Sequence, residues 1–253
     1  MGSFIKREPK KEPSIYELIR DRLNRIEDED YYFEPPSRKD GIYRPPPDFS
    51  GIEYGLYSEE KGSMLSFPRL TQWKTLSKKL LLDLGKFLRV ESHEVQLPDG
   101  SIIPDWSFLV GPDAAIVLAE TVDKKYLCFH QVRYAIKGET LAAIGGHVEK
   151  NEDPLMAAVR ELREETGYEA DNWTHLGTFM VDPSRGLGKR HLYFARGAIK
   201  IAEPNSDDLE EQHLLELTRS ELEEASREGM FKVGSWAALV ALSLNLLYQE
   251  ERT

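Results

Sequence analysis

Cysteine is nearly missing from this chain: 253 residues contain one, Cys128. An intramolecular disulfide framework is therefore excluded, and a reducing compartment fits. Cys128 sits in the apolar run Tyr126-Leu-Cys-Phe129 with nothing beside it that suggests thiolate activation, so a core role is expected. Long apolar runs are missing too. None reaches the ~18 residues needed to span a bilayer. The stretch from Trp236 to Tyr248 carries Ser243 and Asn245 and reads as a core-facing helix. The first residues are charged (Lys6, Arg7, Glu8), so no secretory signal is read there, and Lys6 stands where a myristoylation signal has Ser or Thr. A soluble, cytoplasmic protein with no membrane partner is expected. Basic residues are in deficit: 33 Lys and Arg against 44 Asp and Glu give a net charge of −11. That balance disfavours broad nucleic-acid binding. No His-x-x-His and no paired cysteines point to zinc. An acidic chain can still hold a polyphosphate when metal ions supply the positive charge.

What is present is organised in three parts. Residues 1–70 form an N-terminal extension: a short helical pattern over Ser14–Ile26, then a Pro- and Tyr-rich stretch (Glu34-Pro-Pro, Arg44-Pro-Pro-Pro) that reads as extended leader. Residues 71–112 read as an N-terminal sheet, with an extended run Leu80–Leu97, a turn at Pro98-Asp-Gly100 and a second run Ser101–Val110. Residues 113–253 form the main domain. There Ala114–Glu120 and Tyr126–Val132 are apolar runs joined at Asp123-Lys-Lys, a hairpin pattern. A helix follows in the 150s and 160s, with extended runs at Thr174–Val181 and His191–Ile201 and helices at Arg219–Arg227 and Ser235–Tyr248. Strands mixed with a few helices predict an α/β or α+β class.

The informative segment runs from Gly145 to Tyr168. Asp153 suits a helix N-cap, Pro154 the first turn, and Gly167 the left-handed position after the last turn. At about 100° per residue, Leu155, Ala158, Val159 and Leu162 share one face, while Glu161, Glu164 and Glu165 share another. That second grouping is unfavourable by itself. Like charges three and four apart repel by a few tenths of a kcal/mol per pair. They also lie at the helix C-terminal end, where the macrodipole disfavours anions. Three carboxylates forced together are what a hard divalent cation needs.

The whole segment resembles the Nudix box: Gly, five residues, Glu, seven residues, then Arg-Glu-aliphatic-any-Glu-Glu-any-Gly. Gly146, Glu152, Arg160, Glu161, Leu162, Glu164, Glu165 and Gly167 fall in place; Tyr168 replaces the usual aliphatic residue that follows. Seven fixed residues at roughly 5–10% background each make a chance match on the order of 10⁻⁸ per start position. The resemblance implies a Nudix-type α/β/α sandwich with a mixed sheet, preceded by an antiparallel N-terminal sheet. It implies that Glu161, Glu164 and Glu165 bind Mg²⁺ (Mn²⁺ being the alternative) with the carbonyl of Gly145. It gives Gly146, Glu152, Arg160 and Gly167 structural roles, Arg160 pairing with Glu152. The implied chemistry is attack of water on phosphorus.

Outside the box the resemblance extends to ADP-ribose pyrophosphatases. Pro183 lies sixteen residues after Gly167, Gln131-Val-Arg133 is similar to their Gln-aromatic-Arg element, and Lys86-Phe-Leu-Arg-Val90 with Asp105-Trp106 to their N-terminal sheet. By that likeness Phe87 and Trp106 are expected to clamp an adenine, and Arg133 to contact substrate phosphate or ribose. Core packing competes for both aromatics, and a solvated surface charge for Arg133. Arg185 and Arg190, after Pro183, are candidates for a terminal phosphate or ribose. In Asp207-Asp-Leu-Glu-Glu211, Glu211 is the expected base or extra ligand, with Glu210 next. A homodimer is expected from the shared N-terminal sheet of that subfamily. Two departures stand out: Ala142-Ala-Ile144 replaces Glu-Leu-Pro before the box, and the N-terminal extension has no counterpart in short members. The expected reaction is Mg-dependent hydrolysis of ADP-ribose or an ADP-sugar to AMP and a sugar phosphate. The alternatives are a non-nucleotide diphosphate such as a prenyl diphosphate, or a low-turnover nucleotide-binding sensor.

Overall fold

The computed structural model describes residues 70–205 and 211–252. The helical pattern at Ser14–Ile26, the Pro- and Tyr-rich stretch and Glu210 lie outside the described residues. Among the described residues eleven strands and three helices follow one another: β1 (Lys74–Asp83), β2 (Arg89–Gln96), β3 (Ile102–Val110), β4 (Ala114–Thr121), β5 (Tyr126–Val132), β6 (Glu139–Ala142), β7 (Ile144–His147), α1 (Pro154–Thr166), β8 (Tyr168–Glu169), β9 (Asn172–Asp182), β10 (Gly186–Lys200), β11 (Gln212–Leu217), α2 (Arg219–Arg227) and α3 (Gly234–Glu250).

The main sheet runs β1-β2-β3-β10-β4-β5-β11. β4 pairs in parallel with β10, while β5 pairs antiparallel with β11. The sheet is therefore mixed. Its two faces bury different residues because side chains alternate along each strand. Ile116, Leu118, Leu192 and Phe194 face a core closed by Leu222 of α2 and by Leu239, Val240 and Leu244 of α3; buried Cys128 belongs to this core. Ala115, Val117, Leu127, Phe129, Tyr193 and Ala195 face the opposite way, onto Ala157, Ala158 and Leu162 of α1. These are the three layers of an α/β/α sandwich. Burial pushes the Cys128 thiol up to about 12, as expected of a packed, unreactive side chain.

The site is positioned by a split in the sheet. β4 and β5 pair only at Ala119–Leu127 and Glu120–Tyr126, beside their hairpin, where Lys124 takes the left-handed position. Beyond that they part. β7 pairs with the freed half of β4, from Ala114 to Val117. β6 pairs with the freed half of β5, from Phe129 to Val132. One short stretch of chain thus feeds both lips of the opening and leads directly into α1.

The N-terminal sheet differs in detail from the expectation. The run Leu80–Leu97 is not one extended segment: a turn at Leu84–Leu88 divides it, with Gly85 in the left-handed region and its N–H donating to Asp83 Oδ1. The preceding strand starts earlier, at Lys74, and β10 starts at Gly186, before His191. β3 meets the main sheet at a single pair, Leu109 with Gly186. β1 is exposed along its whole length, and Leu80, Leu81 and Leu82 all face solvent.

Candidate active site

Both ends of α1 are built as its sequence dictates. The Asp153 side chain accepts from Leu155 N–H, Pro154 opens the first turn, and Gly167 closes the helix at φ 73°. Gly167 is required twice over. Its conformation favours glycine, and an added Cβ would stand 2.0 Å from the Ala202 carbonyl oxygen. The backbone at 201–205 wraps this end: the Ile201 and Ala202 N–H groups donate to Gly167 O, and Asn205 N–H donates to Glu164 O.

Arg160 organises the approach from β7 to the helix. Its Nε and Nη2 donate to Glu152 at 2.9 and 3.0 Å, and Nη2 also reaches the His147 carbonyl. Glu152 in turn accepts from Glu149 N–H at 2.8 Å. The loop is thereby tied to the helix through one guanidinium. Glu152 is partly buried, which raises its pKa; the bonds from Arg160 and Glu149 N–H outweigh this and hold the carboxyl below its usual value.

The remaining nitrogen, Nη1, lies between two of the three expected ligands. It donates to Glu161 at 2.7 Å and to Glu164 at 3.1 Å. The two carboxylates therefore converge on one positively charged point. Glu165 is buried and turns the other way along the helix, its Oε2 accepting from Gly145 N–H at 2.9 Å. Gly146 completes the closeness, since a Cβ there would stand 2.4 Å from Glu161 Oε1. Gly145, Gly146, Glu161, Glu164, Glu165 and Arg160 are thus assembled at one place. Among the described residues no three Asp, Glu, His or Cys side chains are already drawn into a cation cage; the guanidinium supplies the balancing charge instead.

The other expected residues fall into two groups. Arg133 starts the turn directly after β5, and Glu211 stands just before β11, whose Gln212 pairs with Gln131. That register brings Arg133 and Glu211 to the same end of one ladder. Glu211 is exposed, 3.6 Å from the His213 imidazole. Trp106 and Arg185 are brought together with each other. The guanidinium lies 4.5 Å from the indole ring centre, Trp106 N–H donates to Ser184 O, and Arg185 Nη1 donates to Ser107 O. Trp73 meets the same indole edge-on at 5.2 Å. These contacts latch the turn after β9 onto β3.

Phe87 is not a core residue. It is 58% exposed at the β1–β2 turn, with its ring 5.7 Å from His147 and the Lys86 ammonium 4.8 Å from its centre. His147, the last residue of β7, thus lies beside Phe87. Burial, Arg190 and Lys86 hold its imidazole below the ordinary histidine value. No local pattern marks that neighbourhood, because Lys86 and Phe87 precede His147 by 61 and 60 residues and Arg190 follows it by 43. Buried Gln131 is another residue whose setting the sequence did not disclose: neither amide atom has a hydrogen-bond partner.

Known proteins resemble this chain in sequence and in fold. Residues 111–236 match the family model described as NUDIX domain, and residues 73–109 match the model described as nucleoside diphosphate sugar hydrolase N-terminal domain. A methanol dehydrogenase activator of Bacillus methanolicus is 31% identical over 62% of this chain and 83% of its own. An ADP-ribose pyrophosphatase of Bacillus subtilis is 30% identical over 60% of this chain and 80% of its own. A CMP-5'-(N-acetyl-N-hydroxy-3-aminopropyl)phosphonate hydrolase of Streptomyces rubellomurinus is 31% identical over 53% and 64% respectively. A crystal structure of an ADP compounds hydrolase superposes with a TM-score of 0.61 at 17% identity, over 74% of this chain and all of that one, and so shares the fold. With two relatives matched over about four fifths of their lengths and the box residues gathered at one site, the chain belongs to the Nudix hydrolase family.

Proposed function

We propose that this protein hydrolyses a diphosphate bond in a nucleoside diphosphate-linked substrate, ADP-ribose or an ADP-sugar, releasing AMP and a sugar phosphate. The observation that carries the reading is the convergence of Glu161 and Glu164 on a single cationic nitrogen beside Gly146. A divalent cation suits this donor set, because hard oxygen ligands are already turned toward one positive charge. Glu161, Glu164 and Glu165 would hold it, with the Gly145 carbonyl, and Mg²⁺ is the ion proposed. When bound, such an ion polarises phosphoryl oxygens and lowers the pKa of water.

The chain's own residues do the rest. Arg160 and Glu152 fix the loop so that Gly145 and Gly146 stay against the helix. Glu165 is buried and anchored by Gly145 N–H, so its carboxylate is held in place before substrate arrives. Arg133 contacts a phosphate or ribose oxygen, and Glu211 takes a proton from the attacking water. Phe87, exposed beside the site, stacks on the base, a contact typically worth ~1–3 kcal/mol. Trp106 and Arg185 serve the substrate through the turn that they latch. A homodimer is proposed as well, supported by the exposed leucines of β1.

The test is a product screen of purified protein with added Mg²⁺ across ADP-ribose, ADP-sugars, CMP-linked compounds, dinucleotides and prenyl diphosphates. AMP appearing from ADP-ribose, and none without divalent cation, supports the reading. Turnover confined to prenyl diphosphates, or absent from all of them, overturns it.

A further inference from the structure

The glutamates occupy only one side of β7. Gly146 faces Glu161 and α1, so the next residue, His147, points from the opposite face of the strand. On that face the strand register sets up a row. His147 pairs with Ala114, Ala114 with Arg190, and Arg190 with Phe179. Neighbouring strands lie about 4.8 Å apart. Ala114, the residue between His147 and Arg190, has a small side chain, and Arg190 and Lys86 both act electrostatically on the His147 ring.

Arg190 is a cation without a full counter-charge. It is half-buried, and its Nη1 donates to two neutral carbonyls, Pro112 O at 3.3 Å and Lys189 O at 2.9 Å. The carboxylate that acts on it is Asp113, yet Asp113 Oδ1 accepts from Lys189 N–H at 2.7 Å and Oδ2 lies 3.5 Å from His191 Nε2. Burial accordingly draws the guanidinium below its ordinary value. Withdrawing a charge from water without pairing it is costly. Lys86 adds a second positive charge, and it too makes no ion pair among the described residues; its ammonium lies over the exposed Phe87 ring. Two cations, an aromatic ring and an imidazole therefore meet next to the box glycine in a protein of net charge −11.

We propose that Lys86, His147 and Arg190 form an anion subsite on the face of β7 opposite the glutamates, and that it takes the phosphate of the nucleotide whose base lies on Phe87. The assignment rests on the nucleotide-hydrolase reading and names the groups that receive the nucleoside monophosphate half. The substrate straddles the edge of β7: one face supplies carboxylates for cations, the other supplies cations for phosphate. Phosphate oxygens accept from Arg190 and Lys86 as charge-assisted hydrogen bonds, which are stronger than neutral ones.

The experiment is calorimetric titration of the full chain with AMP, adenosine and ribose 5-phosphate, without divalent cations. Wild-type protein is expected to bind AMP on the order of tenfold more tightly than adenosine, with the gap narrowing as salt rises. Lys86→Met and Arg190→Met should each shrink that gap severalfold while adenosine binding stays unchanged. Lys86 stands on an exposed turn, so its substitution leaves the core intact and reports even if Arg190→Met fails to fold. An unchanged gap in Lys86→Met, no AMP binding by the wild type, or loss of ribose 5-phosphate binding alone would overturn the proposal. Wild-type turnover of diphosphates, measured separately, tests the hydrolase reading; an inactive protein that keeps the AMP–adenosine gap refutes that reading and retains the subsite.

Discussion

Substituting alanine at the two adjacent glycines of the box should separate activity from stability. At Gly146 an added Cβ would meet Glu161 Oε1 at 2.4 Å, Cδ at 2.6 Å and Oε2 at 2.8 Å. All three atoms belong to the far end of a flexible side chain. Restoring ordinary contact, which begins near 3.4 Å, requires the carboxylate to retreat by 3.4 − 2.4 = 1.0 Å. The backbone there is not left-handed, so the helix and sheet need not move. The cost is a strained Glu161 rotamer, about 0.5–1.5 kcal/mol. Turnover is affected far more, because a misplacement of ~1 Å at a reacting centre lowers rates about 10²-fold. Gly145 behaves in the opposite way. A Cβ there stands 2.1 Å from the Ala115 carbonyl oxygen, with φ at 141°. Backbone cannot swing aside, so Gly145→Ala should cost more than about 3 kcal/mol. Urea denaturation and steady-state hydrolysis of ADP-ribose on both variants make the comparison. Gly146→Ala with wild-type turnover, or as unstable as Gly145→Ala, would refute the reasoning.

Three further outcomes are expected. Glu165→Gln should lose turnover by orders of magnitude yet melt near the wild type, because the amide oxygen can still accept from Gly145 N–H; wild-type-like activity in a folded sample counts decisively against the metal assignment. Glu152 has a folded-state pKa below its ordinary 4.5, so its contribution to stability is full above that value and fades as pH falls below it. Denaturant midpoints for Glu152→Gln should therefore lie below wild type at pH 7 and converge with it as pH falls below the ordinary carboxylate value; parallel curves contradict the Arg160–Glu152 anchor. Sedimentation at micromolar concentration should give a dimer, and Leu80→Asp with Leu82→Asp a folded monomer, since both side chains are about half exposed on β1. A wild-type monomer would refute the dimer.

Much of the site could be read directly from the sequence, and the reason is locality. Asp153, Pro154 and Gly167 act within one turn of α1, and Arg160 meets Glu152, Glu161 and Glu164 within eight residues. Spacing alone therefore fixes who meets whom. The strands β6 and β7 were not foreseen, because each has four residues and β7 carries two glycines with no alternating pattern. The division at Gly85 was hidden for a different reason. Leu80, Leu82, Leu84 and Phe87 suggest a buried run, yet all four are exposed, so apolarity there does not report burial. The contact of Arg185 with Trp106, a pairing across 79 positions, is one that no motif encodes.

The split between β4 and β5 explains why a box of about two dozen residues can place chemistry at all. A continuous pairing of β4 with β5 would bury both edges and leave the glycines no opening. Because the strands part after two pairs, the chain can insert β6 and β7 and still satisfy their backbone groups. β7 is then held on one side by β4 and covered by α1: Gly146 lets Glu161 of the helix come close, and Gly145 lets the strand lie against Ala115 of β4 while its N–H donates to Glu165. A larger residue at Gly146 would displace the Glu161 carboxylate, and one at Gly145 would meet the Ala115 backbone of β4. The like-charge cost of three clustered glutamates is tolerated because the apolar core beneath Ala157, Ala158 and Leu162 pins the helix and Arg160 offsets the charge of Glu161 and Glu164. One face of α1 therefore carries its attachment to the sheet, and another carries the carboxylates to β7, so substitutions on the two faces are expected to separate stability from turnover.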